Sequence, residues 1–385
     1  MSTLKVDTIT KADGTGSLTV PAETGTVVTT ASSSLGRRNR IINGDMRIDQ
    51  RNAGAAVTTN GSYPVDRFFV IEATDGAYSA QQSTTAPSGF RSSLYFTTTT
   101  ADATLSSGQA AYIGQRIEGF NFNDLAWGSA SAKAVTLSFK VRSSLTGTFG
   151  GAIANSARNR SYPFTYSIST ANTWTDVSVT IPGDTSGTWL TDSGIGARLT
   201  FGLGVASDLS GTASAWAGAD YRSASSAVSV IGTLNATFYI TGVQLEVGSV
   251  ATPFEHRSYG EELALCQRYF YDTRDLQQST NGTNNYMELQ GTRHAFADVV
   301  GYRGQTFTHP VVMRTNPTVT FYNPNNSMTS GQVQFYAADG STQNFNAGLF
   351  VKKYAMYFWA YTGVTVGSTG QSVVCNVHWM ADAEL

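Results

Sequence analysis

The strongest constraint in this sequence is a period of two. In AVTLSFKV (Ala134–Val141) the residues Val135, Leu137, Phe139 and Val141 alternate with Thr136, Ser138 and Lys140. Successive side chains of a strand point to opposite faces, so this pattern gives one apolar face and one polar face. DRFFVIEA (Asp66–Ala73), AYIGQRIEG (Ala111–Gly119), FTYSIST (Phe164–Thr170), WTDVSVTIP (Trp174–Pro182), ARLTFGLGV (Ala197–Val205) and NATFYITGVQLEVG (Asn235–Gly248) are further apolar-rich strand candidates, separated by Gly, Ser and Asp turns. Many strands of this kind predict a β-sandwich. Composition agrees: charged residues are 14% of the 385, below the roughly 25% of ordinary soluble domains, and 38 are glycines. Long solvated helices draw on Glu and Lys, in which this chain is poor.

The helical period enters at SYGEELALCQRYFY. Ser258 and Glu261 form a Ser-x-x-Glu capping box. Leu263, Cys266 and Phe270 fall at i, i+3 and i+7 on one stripe. This predicts a short helix whose stripe packs either at a threefold axis or on its own chain's sandwich. Strands resume in NYMELQGTRHAF, GQVQFYAAD, LFVKKYAMYFWAYTG and SVVCNVHWMADAEL, with TFYNPNNSMTSGQVQFY reading as a hairpin around a long Asn-Pro-Asn loop. The expected fold is all-β: a jelly-roll β-sandwich over 41–255, a helical connector over 256–275, and a second C-terminal β-sandwich domain over 276–385. Residues 1–40 have two short apolar pieces broken by Gly and Pro. They cannot bury a core alone. Either they are disordered, or they pair with copies of themselves or with a docking partner.

Net charge is −2 with no basic block, which disfavours a nucleic-acid partner. The N-terminus MSTLKVDTITKADGTG has no apolar h-region, and no run approaches the roughly 18 apolar residues of a membrane span. Cys266 and Cys375 show neither metal-ligand spacing nor a disulfide framework. The cysteine usage suits a reducing cytoplasm, while the composition suits an extracellular adhesin. A protein assembled inside a cell and used outside it satisfies both.

IINGDMRIDQR (Ile41–Arg51) followed by YPVDRFFV resembles the opening of the jelly-roll domain of phage tail-fibre and related tail proteins, and is similar to the Asn-Gly-Asp opening of carbohydrate-binding-module jelly rolls. The segment from Trp174 to Trp189 resembles later strands of the same family, and that from Ile240 to Phe270 its closing strand and exit helix. Cys-Gln-Arg-Tyr-Phe (Cys266–Phe270) is the most specific of these phrases; WMADAEL and the leader LKVDTITKADGTG are similar to tail-protein ends. The resemblance implies a virion fibre. It would be a homotrimer assembled in the host cytoplasm, docked on other tail or baseplate proteins through residues 1–40, and recognising a host-surface glycan or protein through its distal β domains. The alternatives are a glycan-depolymerase fibre and a structural collar or baseplate fibre without a ligand.

Catalytic residues are expected to be none. The carboxylates Asp45, Asp66, Glu118, Asp124, Glu246, Glu288 and Asp298 form no motif, and glycan hydrolysis needs a pair flanking one bond. His256, His294, His309 and His378 share no metal spacing. No cofactor is expected beyond a structural calcium. In the carbohydrate-module pattern a glutamate soon after the Asn-Gly-Asp turn helps bind calcium; here Arg47 and Ile48 stand near that place. Asp45 and Glu246 remain as candidate ligands, too few for an ion that takes six to eight oxygens. Sugars stack on aromatic faces. Trp127, Trp189 and Trp216 are candidates in the first domain, with Trp174 expected in the core. In the second, receptor contact is expected at Tyr322, Asn323, Asn325, Asn326 and Trp359. The two faces of YAMYFWAY are both apolar, so one is expected to form an intersubunit or ligand surface.

Overall fold

The computed structural model describes residues 9–10, 17–18, 38–273, 287–296, 299–323, 329–337, 342–346, 348–360 and 372–385, several C-terminal strands by backbone alone. The chain divides into two compact units, Met1–Arg38 and Asn39–Leu385. In the first unit Ile9 pairs with Leu18 and Thr10 with Ser17 in a two-residue antiparallel ladder. The rest of the predicted docking segment lies outside the described residues.

The seven strand segments read from the sequence form seven of the ten strands of a sandwich; those over Ala77–Ser83, Ser93–Thr100 and Gly147–Ala154 are not among them. The ten are β1 (Phe69–Ala73), β2 (Ala77–Ser83), β3 (Ser93–Thr100), β4 (Ala110–Glu118), β5 (Val135–Ser143), β6 (Gly147–Ala154), β7 (Ser161–Ile168), β8 (Thr175–Ile181), β9 (Ile195–Val205) and β10 (Thr237–Val247). One five-stranded sheet runs β8-β5-β10-β3-β2 and the other β1-β4-β9-β6-β7, all antiparallel. Most connections cross from one sheet to the other, the jelly-roll pattern. Val135, Leu137, Phe139 and Val141 are buried as the alternation requires, against Phe149, Phe164, Phe201 and Phe238. The two inner faces interdigitate into one core.

The opening segment lies beside the second half of β10. Arg40 N–H donates to the Leu245 carbonyl, and Val243 N–H to the Gly44 carbonyl (2.9 Å each). In the Asn-Gly-Asp turn the positive φ falls on Asn43 (+59°) and Met46 (+58°), both left-handed, not on the glycine. Gly44 is required because a Cβ there would sit 2.2 Å from the Val243 carbonyl oxygen.

Ser258 caps α1 (Tyr259–Gln267), its side chain accepting from Glu261 N–H. The stripe packs on its own chain: Cys266 and Leu263 meet Ile42, Ile48 and Tyr269. Phe270 is not on the helix. It begins β11 (Phe270–Asp272), because Arg268 closes the helix and Tyr269 is already turned into the Ile42–Ile48 cluster.

The C-terminal region contains β12 (Met287–Phe296), β13 (Val299–Thr308), β14 (Thr318–Asn323), β15 (Gln332–Ala337), β16 (Thr342–Asn346), β17 (Gly348–Val351), β18 (Ala355–Ala360) and β19 (Ser372–Asp382). β19 organises them. Its first half lies between β12 and β15, and its second half between β14 and β11. The predicted hairpin forms as β14 against Thr329–Ser330, while β15 pairs with β19 and β16 instead. Among the described residues no helix is long and apolar enough to cross a membrane.

Candidate functional site

The phrases that stand out in the sequence converge on one buried hub. Asn43 is fully buried. Its Nδ2 donates to the carbonyls of Ile48 (2.8 Å) and Asp66 (2.9 Å), its Oδ1 accepts from Ile48 N–H (3.0 Å), and its own N–H donates to Glu262 Oε1 (2.6 Å). The Asn43 side chain thus ties the opening turn to the VDRFF segment, and its backbone N–H ties both to α1. Arg67, 2% exposed, lies 3.5 Å over the Tyr269 ring, donates to the Arg116 carbonyl (2.6 Å) and pairs with Glu384. Arg51 lies 3.6 Å over Phe270 and reaches Asp66 (3.4 Å), Glu384 (3.2 Å) and Asp382 (3.7 Å). Arg268 grips Glu118 with two bonds (2.9 and 2.5 Å), and Tyr269 Oη adds a third (2.6 Å). Burial raises the Asp66 carboxyl to about 6 against the opposing pull of Arg51 and the bonds from Gln50. The Cys-Gln-Arg-Tyr-Phe and Ala-Asp-Ala-Glu-Leu phrases therefore hold the sandwich to the end of β19.

The candidate carboxylates are distributed among separate partners. Asp45 pairs with Arg47 (3.0 Å) and burial raises its pKa, although Arg47 opposes this. Glu246 accepts from Thr252 N (2.8 Å), Thr252 Oγ1 (2.7 Å) and Gln244 Nε2 (2.9 Å). The register that sets Gly44 beside Val243 and Arg40 beside Leu245 puts Asp45 and Glu246 toward opposite ends of that ladder. Asp124 pairs with Arg40 at 2.5 Å. No group of three or more His, Cys, Asp or Glu is placed to hold a metal among the described residues. Asp298 and the Glu288 side chain lie outside them.

The tryptophans exchange roles. Trp127 and Trp189, each 7% exposed, form a plug with Phe122 and Trp216, ring centroids 4.7–5.7 Å apart. Their indole N–H groups bond to Lys133 O, Asp184 Oδ2 and Ser186 O, as buried Trp requires. Trp174, expected in the core, is half-exposed on the outer face. The reason is position: it precedes edge strand β8, whose alternation sends Val177, Val179 and Ile181 inward.

Trp174 ends an aromatic row that periodicity alone did not single out. Gln81, Tyr95, Tyr239 and Arg142 are successive register partners across β2, β3, β10 and β5, and Trp174 lies next along, before Thr175, the partner of Val141. All five are half-buried. Tyr95 and Tyr239 rings are 4.6 Å apart, Trp174 meets Tyr239 edge-on at 6.2 Å, and the Arg142 guanidinium lies 5.0 Å over Tyr239. Arg142 Nε donates to Asn172 O (2.8 Å), which fixes it. Burial raises the Tyr239 phenol pKa, with Tyr95 adding to this and Arg142 opposing. Four interstrand steps of about 4.8 Å make the row about 19 Å long. Lys140 and Asp176 pair beside it at 2.6 Å. The signal was present in SLYFT and TFYIT, where Tyr95 and Tyr239 occupy the outward parity between inward Leu94, Phe96, Phe238 and Ile240.

Of the C-terminal candidates, Tyr322 is half-buried on β14 with its Oη 3.4 Å from Met380 Sδ, and Asn323 is fully buried at the strand end. Asn325, Asn326 and the side chain of Trp359 lie outside the described residues. In YAMYFWAY, Tyr354 is exposed before β18 and Met356 is buried; the side chains beyond it lie outside the described residues.

No family model matches this chain, and no curated protein matches it. Among solved structures, it is similar to the enzymatically active domain of tailspike protein 4 of bacteriophage CBA120: 12% identity, 55% of this chain, 21% of that one, TM-score 0.29. It is similar to a family 11 carbohydrate-binding module from Clostridium thermocellum in complex with a mixed-linked tetrasaccharide: 12% identity, 53% of this chain, all of that one, TM-score 0.25. A tandem CBM22 domain of Paenibacillus barcinonensis Xyn10C covers 87% of this chain and 99% of its own at 8% identity, TM-score 0.23. At these scores the sandwich rests on this chain's own two sheets.

Proposed function

We propose that this chain is a carbohydrate-recognising attachment protein, a virion fibre subunit of the kind its opening and Cys266–Phe270 phrases resemble. The observation that carries the recognition half is the row Trp174, Arg142, Tyr239, Tyr95, Gln81. Aromatic rings packed against one another and held half-exposed in one line offer a continuous apolar strip to the C–H groups of successive sugar units. Arg142, Gln81, Lys140 and Asp176 offer hydrogen bonds to the hydroxyls. The rings are fixed by their strands before any ligand arrives, which lowers the ordering cost of binding. The attachment half is supported by the sequence phrases and by a composition suited to assembly inside a cell and use outside it. In this reading the fibre is a homotrimer docked through residues 1–40. Three weak sites then act together by effective concentration.

Affinity electrophoresis of the full chain through gels containing neutral polysaccharides tests the reading. Retardation by at least one polysaccharide, lost in Tyr239→Ala, is expected. Equal mobility of wild type and variant in every gel sinks the recognition half and leaves a structural fibre. Light scattering tests the trimer separately.

A further inference from the structure

The other outer face carries an arginine cluster that the aromatic row does not explain. Arg198 on β9 is the direct register partner of Arg116 on β4. Like charges directly opposite in an antiparallel pair are destabilising. Burial, with Arg158 and Arg116 adding to it, lowers Arg198 to about 10, while Tyr112 and Asp220 oppose the shift. Among the described residues the nearby carboxylate is Asp220, 2.9 Å from Arg222 and 3.7 Å from Arg158. Arg198 donates through Nε to Ser156 O (3.3 Å), with no carboxylate pair of its own among the described residues. The Nε of Arg222 is buried without a hydrogen-bond partner. Arg116 is turned away, toward the Leu385 carbonyl and the Phe69 ring.

Arg158, Arg198 and Arg222 line one small cavity, with Thr200, Asp220 and Tyr221. Its free volume is about 10 Å³, room for about one water-sized group and too little for a sugar ring. Three guanidinium groups thus meet one carboxylate at a cavity sized for a single small group. Guanidinium forks match planar and tetrahedral oxyanions through paired N–H bonds.

We propose that this cavity is an anion site that takes one oxygen of an oxyanion group, the carboxylate of an acidic sugar or a phosphate, between Arg158, Arg198 and Arg222, with the rest of the group at its open mouth. Asp220 holds Arg158 and Arg222 in place and competes with the ligand for them. The site lies on the sheet opposite the aromatic row and does not rest on glycan recognition there.

Calorimetric titration of the full chain with D-glucuronate, inorganic phosphate and D-glucose, at fixed ionic strength, tests it. One saturable site for an anion and none for glucose is expected; whichever anion binds more tightly identifies the source. Arg198→Gln should weaken that anion by about tenfold or more. The same variant should unfold at a higher temperature than wild type without anion, because it removes the repulsion of Arg198 by Arg158 and, less, by Arg116. Asp220→Asn should bind the anion more tightly. No saturable binding of either anion, unchanged affinity in Arg198→Gln, or weaker binding in Asp220→Asn overturns the proposal.

Discussion

The hub around Arg67 and the outer row through Tyr239 are both made of guanidinium groups and aromatic rings, in opposite environments. In the hub, Arg51, Arg67 and Arg268 each have a carboxylate partner and an aromatic or carbonyl contact, and the carboxylates of Asp66 and Glu118 are buried. In the row, Arg142 has a ring beneath it and one carbonyl, and the rings stay half-exposed. Desolvated charge is costly unless paired, so the hub residues depend on one another. The row residues carry no such buried pairing, and what they offer is surface. The difference teaches that the phrases most salient in the sequence do structural work, while the proposed binding surface uses residues that look ordinary there.

This contrast can be broken by mutation. Arg67→Ala should have the largest effect, removing one of the two guanidinium partners of Glu384 and the cover of Tyr269, and costing about 3–5 kcal/mol in denaturant unfolding. A loss below about 1 kcal/mol would mean the hub is not integral to the fold. Asn43→Ala removes three side-chain hydrogen bonds and leaves a non-glycine, non-asparagine residue at φ +59°. It should cost about 2–4 kcal/mol, and its unfolding curve should show this without a change of slope. Ser258→Ala removes the cap of α1 and should cost about 1 kcal/mol by the same measurement.

The Asp66 carboxyl sharpens the comparison through pH. Its folded pKa of about 6 is above the ordinary 3.8, so the folded chain holds this proton more tightly than the unfolded chain. Its contribution to stability is therefore greatest below about pH 4, and falls as pH rises to about 6. Asp66→Asn should remove that downward component from a plot of unfolding free energy against pH. An identical slope in the variant would show that Asp66 titrates normally.

The sequence made the first sandwich legible because its strands keep strict alternation: Val135, Leu137, Phe139 and Val141 face inward as their spacing requires. The cap at Ser258 was equally plain. The hub was visible only as phrases, because its contacts join residues such as Arg67 and Glu384 that are 317 positions apart. Periodicity cannot report that. Phe270 shows the same limit, since helical spacing continues past the point where Tyr269 leaves the helix. The tryptophans misled because their indoles suit both core and surface; edge-strand geometry decided between them. The aromatic row needed register, which sets Tyr95 against Tyr239 and Tyr239 against Arg142.

The most direct test is to measure polysaccharide affinity and unfolding free energy side by side for wild type and Tyr239→Ala. The account predicts a loss in affinity of about tenfold or more, with stability changed by no more than about 1 kcal/mol. Unchanged affinity, or a stability loss as large as that of Arg67→Ala, would make the row another part of the scaffold and contradict the account.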